Sequence, residues 1–295
     1  MSQHPPPYIG RFAPSPTGPL HLGSLYTALA SYLDARRHRG QWLLRIDDLD
    51  TPRNVSGATD AILRCLNRFD LHWDGNVYYQ SRQSDSYAET LERLRQQRWL
   101  YACRCSRKAL AGTPVYPGRC RDAGFPIDAA SAWRLSVSDL SIRFQDALQG
   151  WIDENPALEH GDFIVRRKDG IVAYQFAVVI DDFRQQVNHV VRGVDLLDST
   201  SKQRYLQNLL GYPEPHYMHL PVIVDSDGNK LSKQTLAAPV DDAQPSATLF
   251  SLLQLLRQNP PLILRKATVS EQLDWAIAHW NPRTLEKTRI IHPSG

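Results

Sequence analysis

Apolar and polar positions alternate along the chain in blocks that predict an α/β protein. From Leu22 to Arg39 the apolar side chains fall at Leu22, Leu25, Tyr26, Leu29, Ala30 and Leu33, spacings of three and four that line one face of a helix. Arg36, Arg37, His38 and Arg39 fill its last turn, where cations suit the negative helix end, and Gly40 follows as a left-handed cap. The run WLLRI at 42–46 predicts a buried strand. The chain therefore opens strand, loop, helix, strand, an order that favours a parallel sheet with crossover helices. Two more helical patterns cover 59–69 and 84–99. From 101 to about 160 the periodicity fades, and the stretch reads as an inserted module. Beyond it DFIVRR and IVAYQFAVVI flank Lys168-Asp169-Gly170 as two strand-like runs around a turn. VNHVV predicts a strand entering Arg192-Gly193, and Ser199 or Thr200 is a candidate cap for a helix ending near Gly211. HLPVIV predicts another strand, turned by Asp227-Gly228 into KLSKQ. The remainder predicts helices over 249–258 and after Thr268 and Glu271, which have capping-box spacing.

A chain of 295 residues can bury one large core or two modest ones, and two domains are expected. With 42% apolar and 22% charged residues it has the composition of an ordinary globular protein. No stretch approaches the ~18 apolar residues of a membrane span. The start MSQHPPPY lacks the basic region and apolar core of a secretory signal, which leads to the expectation of a cytoplasmic protein without membrane partners. The balance of 34 Lys+Arg against 31 Asp+Glu permits a basic face for nucleic acid but does not demand one. Four Cys are too few for a disulfide scaffold, and three of them gather at 103, 105 and 120, which points to metal.

Two segments carry the chemistry. RFAPSPTGPLHLGS, residues 11–24, is a Pro- and Gly-rich loop running from a strand into a helix, so backbone N–H groups and the helix dipole face a place where phosphate can bind. It matches neither GxxxxGK[ST] nor GxGxxG, and read alone it is equally a rigid connector whose His21 caps the helix. KLSKQ, residues 230–234, sets two lysines three apart, a pattern that alone describes a solvated loop. At the Cys cluster three thiolates leave one corner of a zinc tetrahedron to water, Tyr116 or an acid such as Asp122, and a reduced cluster without metal is the alternative. Cys65, on a predicted helix, reads as core.

Together, in this order, the two segments resemble the class I aminoacyl-tRNA synthetases: P-x-x-x-L-H-L-G-S at 16–24 is similar to the HIGH motif and KLSKQ to KMSKS, and RFAPSPTGPLHLG resembles the glutamyl and glutaminyl branch. Ser24 stands in place of the second histidine of HIGH, and Gln234 in place of the last serine of KMSKS. The resemblance implies an α/β, Rossmann-type parallel-sheet nucleotide-binding domain over 8–100 and 185–240, an inserted zinc-containing, acceptor-like module over 101–184, and a short helical C-terminal region over 241–295. It implies a ligase that condenses L-glutamate with ATP, carried with Mg²⁺, into glutamyl-adenylate. His21 and Lys233 are then the catalytic residues, and His21, Gly23, Ser24, Lys230 and Lys233 bind ATP.

Free glutamate carries two carboxylates and an ammonium, so its pocket needs cations and an anion. Arg11 and Arg192 supply bidentate partners for the carboxylates, Asp47 an anion for the ammonium, and Tyr174 a hydroxyl-bearing wall. By resemblance Arg11, Phe12, Ala13, Pro14, Ser15, Asp47, Tyr174 and Arg192 line the glutamate site. The family usually has Glu at 47, so the shorter Asp47 opens the option of a bridging water. For Arg192 a salt bridge to Asp195 is the structural alternative. The CxC…Y-x3-C spacing resembles the zinc site of one subfamily, with Cys103, Cys105, Tyr116 and Cys120 holding one structural Zn²⁺.

Only 62 of the 295 residues follow Lys233, whereas a separate anticodon-reading domain takes roughly 100 or more. That length, the zinc signature and KLSKQ resemble the glutamyl-queuosine tRNA(Asp) synthetases over residues 8 to 290. What this implies is a monomer that transfers glutamate to a hydroxyl on the cyclopentene ring of queuosine, at the wobble position of tRNA(Asp), with the anticodon arm as its partner. Arg104, Arg107, Lys108, Arg119 and Arg121 are candidate phosphate contacts. The competing expectations are a truncated glutamyl-tRNA synthetase charging the 3′ end of tRNA(Glu), and a non-catalytic RNA-binding zinc protein.

Overall fold

Strands and helices alternate throughout the computed structural model, which describes residues 6–106, 108–128, 130–225, 240 and 243–292. In chain order they are β1 (Ile9–Phe12), α1 (Leu22–Arg37), β2 (Gln41–Ile46), α2 (Ala58–Arg68), β3 (Tyr78–Tyr79), α3 (Ser84–Gln96), β4 (Leu100–Cys103), β5 (Ala132–Leu135), β6 (Ile142–Asp146), β7 (Gly150–Glu154), α4 (Pro156–Glu159) and β8 (Ile164–Arg166). There follow α5 (Tyr174–Arg184), β9 (His189–Gly193), α6 (Leu197–Leu210), β10 (His216–Leu220), β11 (Val222–Ile223), α7 (Pro245–Leu255), α8 (Val269–His279) and β12 (Ile290–Ile291).

The main sheet has the order β3-β2-β1-β9-β10-β6-β7. Every pairing from β3 to β6 is parallel, and only the β6–β7 hairpin is antiparallel. From β1 the chain winds outward through β2 to β3; from β9 it winds the other way to β10. The junction of β1 with β9 is thus a switch point, and a crevice opens outside the carboxyl ends of these strands. A second, antiparallel sheet has the order β4-β5-β8.

Several expectations change on inspection. Helix α1 shows no single apolar stripe: from Leu25 to Ala35 only Thr27 escapes burial, because the helix is wedged between the sheet and α8. Its buried Asp34 is satisfied from both sides, accepting from Tyr8 Oη at 2.6 Å and Trp280 Nε1 at 2.9 Å. The left-handed residue after α1 is Arg39 (φ 54°), not Gly40. Gly40 is needed for a different reason, since a Cβ there would stand 2.4 Å from the Tyr8 carbonyl oxygen. Gly211 does cap α6 in the left-handed region at φ 68°. The run IVAYQFAVVI is not a strand: after β8 and the turn it becomes α5, whose residues Phe176–Asp182 are all buried. A helix covered on every side loses the 3.6-residue signature, so its apolar run looks like a buried strand. Neither Ser199 nor Thr200 caps α6; the helix begins at Leu197 and carries Thr200 into the core. Pro221 divides HLPVIV into β10 and β11. The β6–β7 hairpin, which the sequence reading placed in the inserted module, hydrogen-bonds to β10 in the main sheet. The capping box at Thr268 and Glu271 is formed as expected, and Cys65 is buried on α2.

Candidate functional site

At the switch point lies a cavity of about 770 Å³. The end of β1 contributes Arg11, Phe12, Ala13, Pro14 and Ser15; the start of α1 contributes His21, Gly23 and Ser24; Asp47 follows β2, Tyr174 opens α5, and Arg192 comes from β9. One chamber thus gathers candidates spread over more than 180 residues of sequence. Lys230, Lys233 and Gln234 lie outside the described residues.

His21 is the N-cap of α1. Its Nδ1 accepts the Ser24 N–H at 3.2 Å, which leaves the proton of the neutral ring on Nε2, 2.9 Å from Ser24 Oγ. The capping role and the cavity-lining role are therefore held together, and Ser24, in place of a second histidine, braces the ring. Gly23 and Ser24 at the start of the helix line the same chamber, and a helix N-terminus is a setting that favours anions.

Beneath the β1 loop runs a buried ion chain. Arg11 Nε donates to Asp182 Oδ1 at 3.2 Å, Arg45 Nη1 to the same oxygen at 2.6 Å, and Arg45 Nε to Asp47 Oδ1 at 2.7 Å. Burial pushes the Asp47 carboxyl up to about 6, against the opposing pull of Arg45. Asp182 is also penalised by burial, yet Arg11 and Arg45 hold it below the ordinary carboxylate range. Breaking such a chain by removing one member strands a buried charge, which makes it a rigid frame for Arg11. Next to Asp182, Asp181 points elsewhere and accepts from Tyr78, Gln80 and Tyr87.

Arg192 is held differently. It donates to Thr200 Oγ1 and Gln203 Oε1, each at 2.8 Å, to Tyr174 Oη at 3.4 Å and to His219 Nε2 at 3.0 Å. No ion pair between Arg192 and Asp195 forms among the described residues, although Asp195 also lines the cavity. Sequence reasoning missed Arg45, Asp182 and His219. An arginine inside a strand with buried neighbours was the available signal for Arg45; a lone histidine on an apolar strand gives none for His219.

The three cysteines form a second centre. Their sulfurs lie within 4.8 Å of one another, with Cys105 Sγ 3.5 Å from Cys120 Sγ. Tyr116 Oη is 3.5 Å from Cys103 Sγ and 3.9 Å from Cys105 Sγ, and accepts the Cys120 N–H at 3.1 Å. Four ligands on a tetrahedral zinc place sulfur about 3.8 Å from sulfur and about 3.5 Å from oxygen, so this donor set fits that ion. Burial alone would push the Cys120 thiol up, but hydrogen bonding to Tyr116 and its neighbours brings it down to about 7. Asp122 is exposed and outside the cluster. Of the candidate phosphate contacts, Arg121 is committed to the buried Asp162, which also accepts from Tyr101 Oη and the Val137 N–H. Arg104 pairs with Asp128 at 3.4 Å, Arg119 donates to the Ala109 carbonyl, and Arg107 lies outside the described residues.

The chain was compared with known proteins. Residues 9–113 and 131–257 match the family of class I tRNA synthetases (E and Q), catalytic domain. It is 50% identical to the glutamyl-Q tRNA(Asp) synthetase of Aromatoleum aromaticum, covering 95% of this chain and 92% of that protein. It is 51% identical to the protein of the same name from Methylococcus capsulatus, covering 100% and 98%. Among solved structures, a glutamate tRNA ligase from Elizabethkingia meningosepticum in complex with its amino acid superposes with a TM-score of 0.80 at 25% identity, over 97% of this chain and 67% of that one.

Proposed function

The chain belongs to the class I glutamyl and glutaminyl tRNA synthetases and, within them, to the glutamyl-Q tRNA(Asp) synthetase family, and from that membership we propose that it activates L-glutamate with ATP and transfers the glutamyl group to queuosine at the wobble position of tRNA(Asp). The observation that carries this reading is the single chamber at the β1/β9 switch point, where Arg11, Arg192, Asp47 and the N-terminus of α1 come together. It offers cations for two carboxylates, an anion for an ammonium and a helix start for phosphates.

In the first step the α-carboxylate of glutamate attacks the α-phosphate of ATP, a P–O bond forms to the carboxylate oxygen, and the bond to the β-phosphate bridging oxygen breaks to release pyrophosphate. Such transfer depends on alignment and charge neutralisation more than on a base. Arg11 and Arg192 orient the amino acid, Asp47 holds its ammonium, and Tyr174 closes the wall. His21, Gly23 and Ser24 receive the nucleotide, with Lys230 and Lys233 assigned to its phosphates; Mg²⁺ arrives with ATP as part of the substrate. In the second step a hydroxyl of the queuosine diol attacks the acyl carbon and AMP leaves.

Cys103, Cys105, Tyr116 and Cys120 would hold one Zn²⁺, which ties the 103–120 loop to the three-stranded sheet and takes no part in the chemistry. The catalytic unit occupies the seven-stranded sheet with its β6–β7 hairpin, and the rest of the 101–166 stretch, built on the three-stranded sheet, faces the anticodon arm. From its family membership we read the enzyme as a cytoplasmic monomer. No helix among the described residues is long and apolar enough to cross a membrane. Half identity to proteins of this name, against a quarter to a glutamate tRNA ligase, favours queuosine over the 3′ end of tRNA(Glu) as acceptor. Labelled glutamate offered with ATP to tRNA(Asp) with and without queuosine tests the reading. Label on the modified base alone is expected; equal labelling of queuosine-free RNA sinks it.

A further inference from the structure

Arg192 differs from the other arginines of the chamber in how its charge is balanced. Arg11 meets Asp182, Arg45 meets Asp47 and Asp182, and Arg53 meets Asp50. The hydrogen-bond partners of Arg192 among the described residues are all uncharged: Thr200, Gln203, Tyr174 and the ring of His219. Arginine has only donors, so Nε2 of His219, which meets Arg192 Nε at 3.0 Å, must be an acceptor and carry no proton. The ring proton then sits on Nδ1, 2.6 Å from Asp146 Oδ2. Both His219 and Asp146 are buried. Burial pushes His219 below the usual histidine range, the Asp146 hydrogen bond opposes it, and Arg192 pushes the same way, which agrees with a neutral ring.

Asp146 is itself fixed. Its Oδ1 accepts the backbone N–H groups of Leu148 at 3.0 Å and Gln149 at 2.9 Å in the turn between β6 and β7, which leaves Oδ2 for the imidazole. The hairpin at the far end of the sheet thereby reaches the chamber through one ring. A carboxylate placed directly on Arg192 would have neutralised it; a carboxylate one imidazole away orients it and leaves its charge for a ligand.

Resting on the glutamate-activating reading above, we propose that His219 and Asp146 are positioning residues that set Arg192 as the cationic partner of the glutamate side-chain carboxylate, and so set the preference for glutamate over glutamine. The side-chain carboxylate is assigned because an undivided positive charge on the reacting carboxylate would weaken it as a nucleophile, and Arg11, whose charge Asp182 already balances, is the milder partner for that group. An amide in its place could turn its oxygen to Arg192 but would bring no charge, which leaves a buried guanidinium without a counter-ion.

Asp146→Asn tests the relay, because its oxygen is held by three backbone N–H groups, that of His219 included, and its NH₂ must face the His219 ring. The ring is then forced to carry its proton on Nε2, against the Arg192 donor. Nitrogen NMR of labelled histidine is expected to show the Nδ1–H form in the wild type and the Nε2–H form in D146N. In glutamate-dependent ATP–pyrophosphate exchange, D146N should raise KM for glutamate roughly ten- to a hundredfold, leave KM for ATP unchanged and lower the discrimination against glutamine. His219→Gln retains an acceptor for Arg192 and should stay near wild type, with D146N adding nothing in that background; His219→Leu, which has none, should behave like D146N. An Nε2–H ring in the wild type, wild-type KM in folded D146N, or equal KM for His219→Gln and His219→Leu overturns the proposal. Should D146N not fold, the wild-type tautomer and the two His219 variants decide it. Absence of any glutamate-dependent exchange in the wild type would instead strike the functional reading, and the tautomer measurement would still judge the relay.

Discussion

Asp47 shows how one shortened side chain changes a site. Its carboxyl is pushed by burial to about 6 although Arg45 lies against it, so the charge that the proposed function assigns to the substrate ammonium is lost just below neutral pH. Lowering the pH through 6 should raise KM for glutamate about tenfold per unit, while the glutamate carboxylates remain ionised. The same shift works against the fold: the ionised form is the costly one, so its penalty is absent below the unfolded value of 3.8 and complete above about 6. A pH series of exchange kinetics on the wild type and Asp47→Asn checks this, and a variant profile with the same step near 6 would assign the titration elsewhere. A second prediction concerns Arg192, whose four acceptors are arranged around a planar fork. Arg192→Lys should raise KM for glutamate by at least about tenfold with little change for ATP, since an ammonium cannot keep that geometry. At this scale the sequence exposes the residues that face the chamber, because loop motifs carry them in fixed order. It hides Asp182 and His219, since a charge partner 171 residues from Arg11 leaves no local pattern.

Among the elements, legibility follows burial. The helices of one exposed face, α2 and α3, fall where their spacing puts them, and the box at Thr268 announces α8. Fully enclosed α1 and α5 do not show which residues are inside, and α5 resembles a strand for that reason. Close packing explains Gly40 better than turn chemistry does. Gly40→Ala should destabilise the protein by about 1–3 kcal/mol, because backbone oxygen and the Tyr8 ring obstruct the new methyl, and a thermal melt at fixed pH reads the loss. An unchanged melting temperature would mean that the 6–10 segment yields.

Across the whole molecule the chamber belongs to the seven-stranded sheet and the cysteine centre to the three-stranded one. Cys103→Ser should release zinc and loosen the 103–120 loop while exchange activity on the main sheet persists; metal analysis and limited proteolysis report the two effects, and a full zinc content in the variant would remove Cys103 from the ligand set. Binding of tRNA should weaken steeply with salt, and a logarithmic salt plot gives the number of phosphates neutralised. The assembly of the main sheet also sets a schedule. β1 pairs with β9, and Ile9 N–H reaches the Asn188 side chain across 179 residues. On the ribosome one edge of the first strand meets β2 early, while the other waits about 10–40 s for β9. Until then β1 keeps an unpaired edge, which in a nascent chain stalled before residue 189 stays open to pairing with other chains.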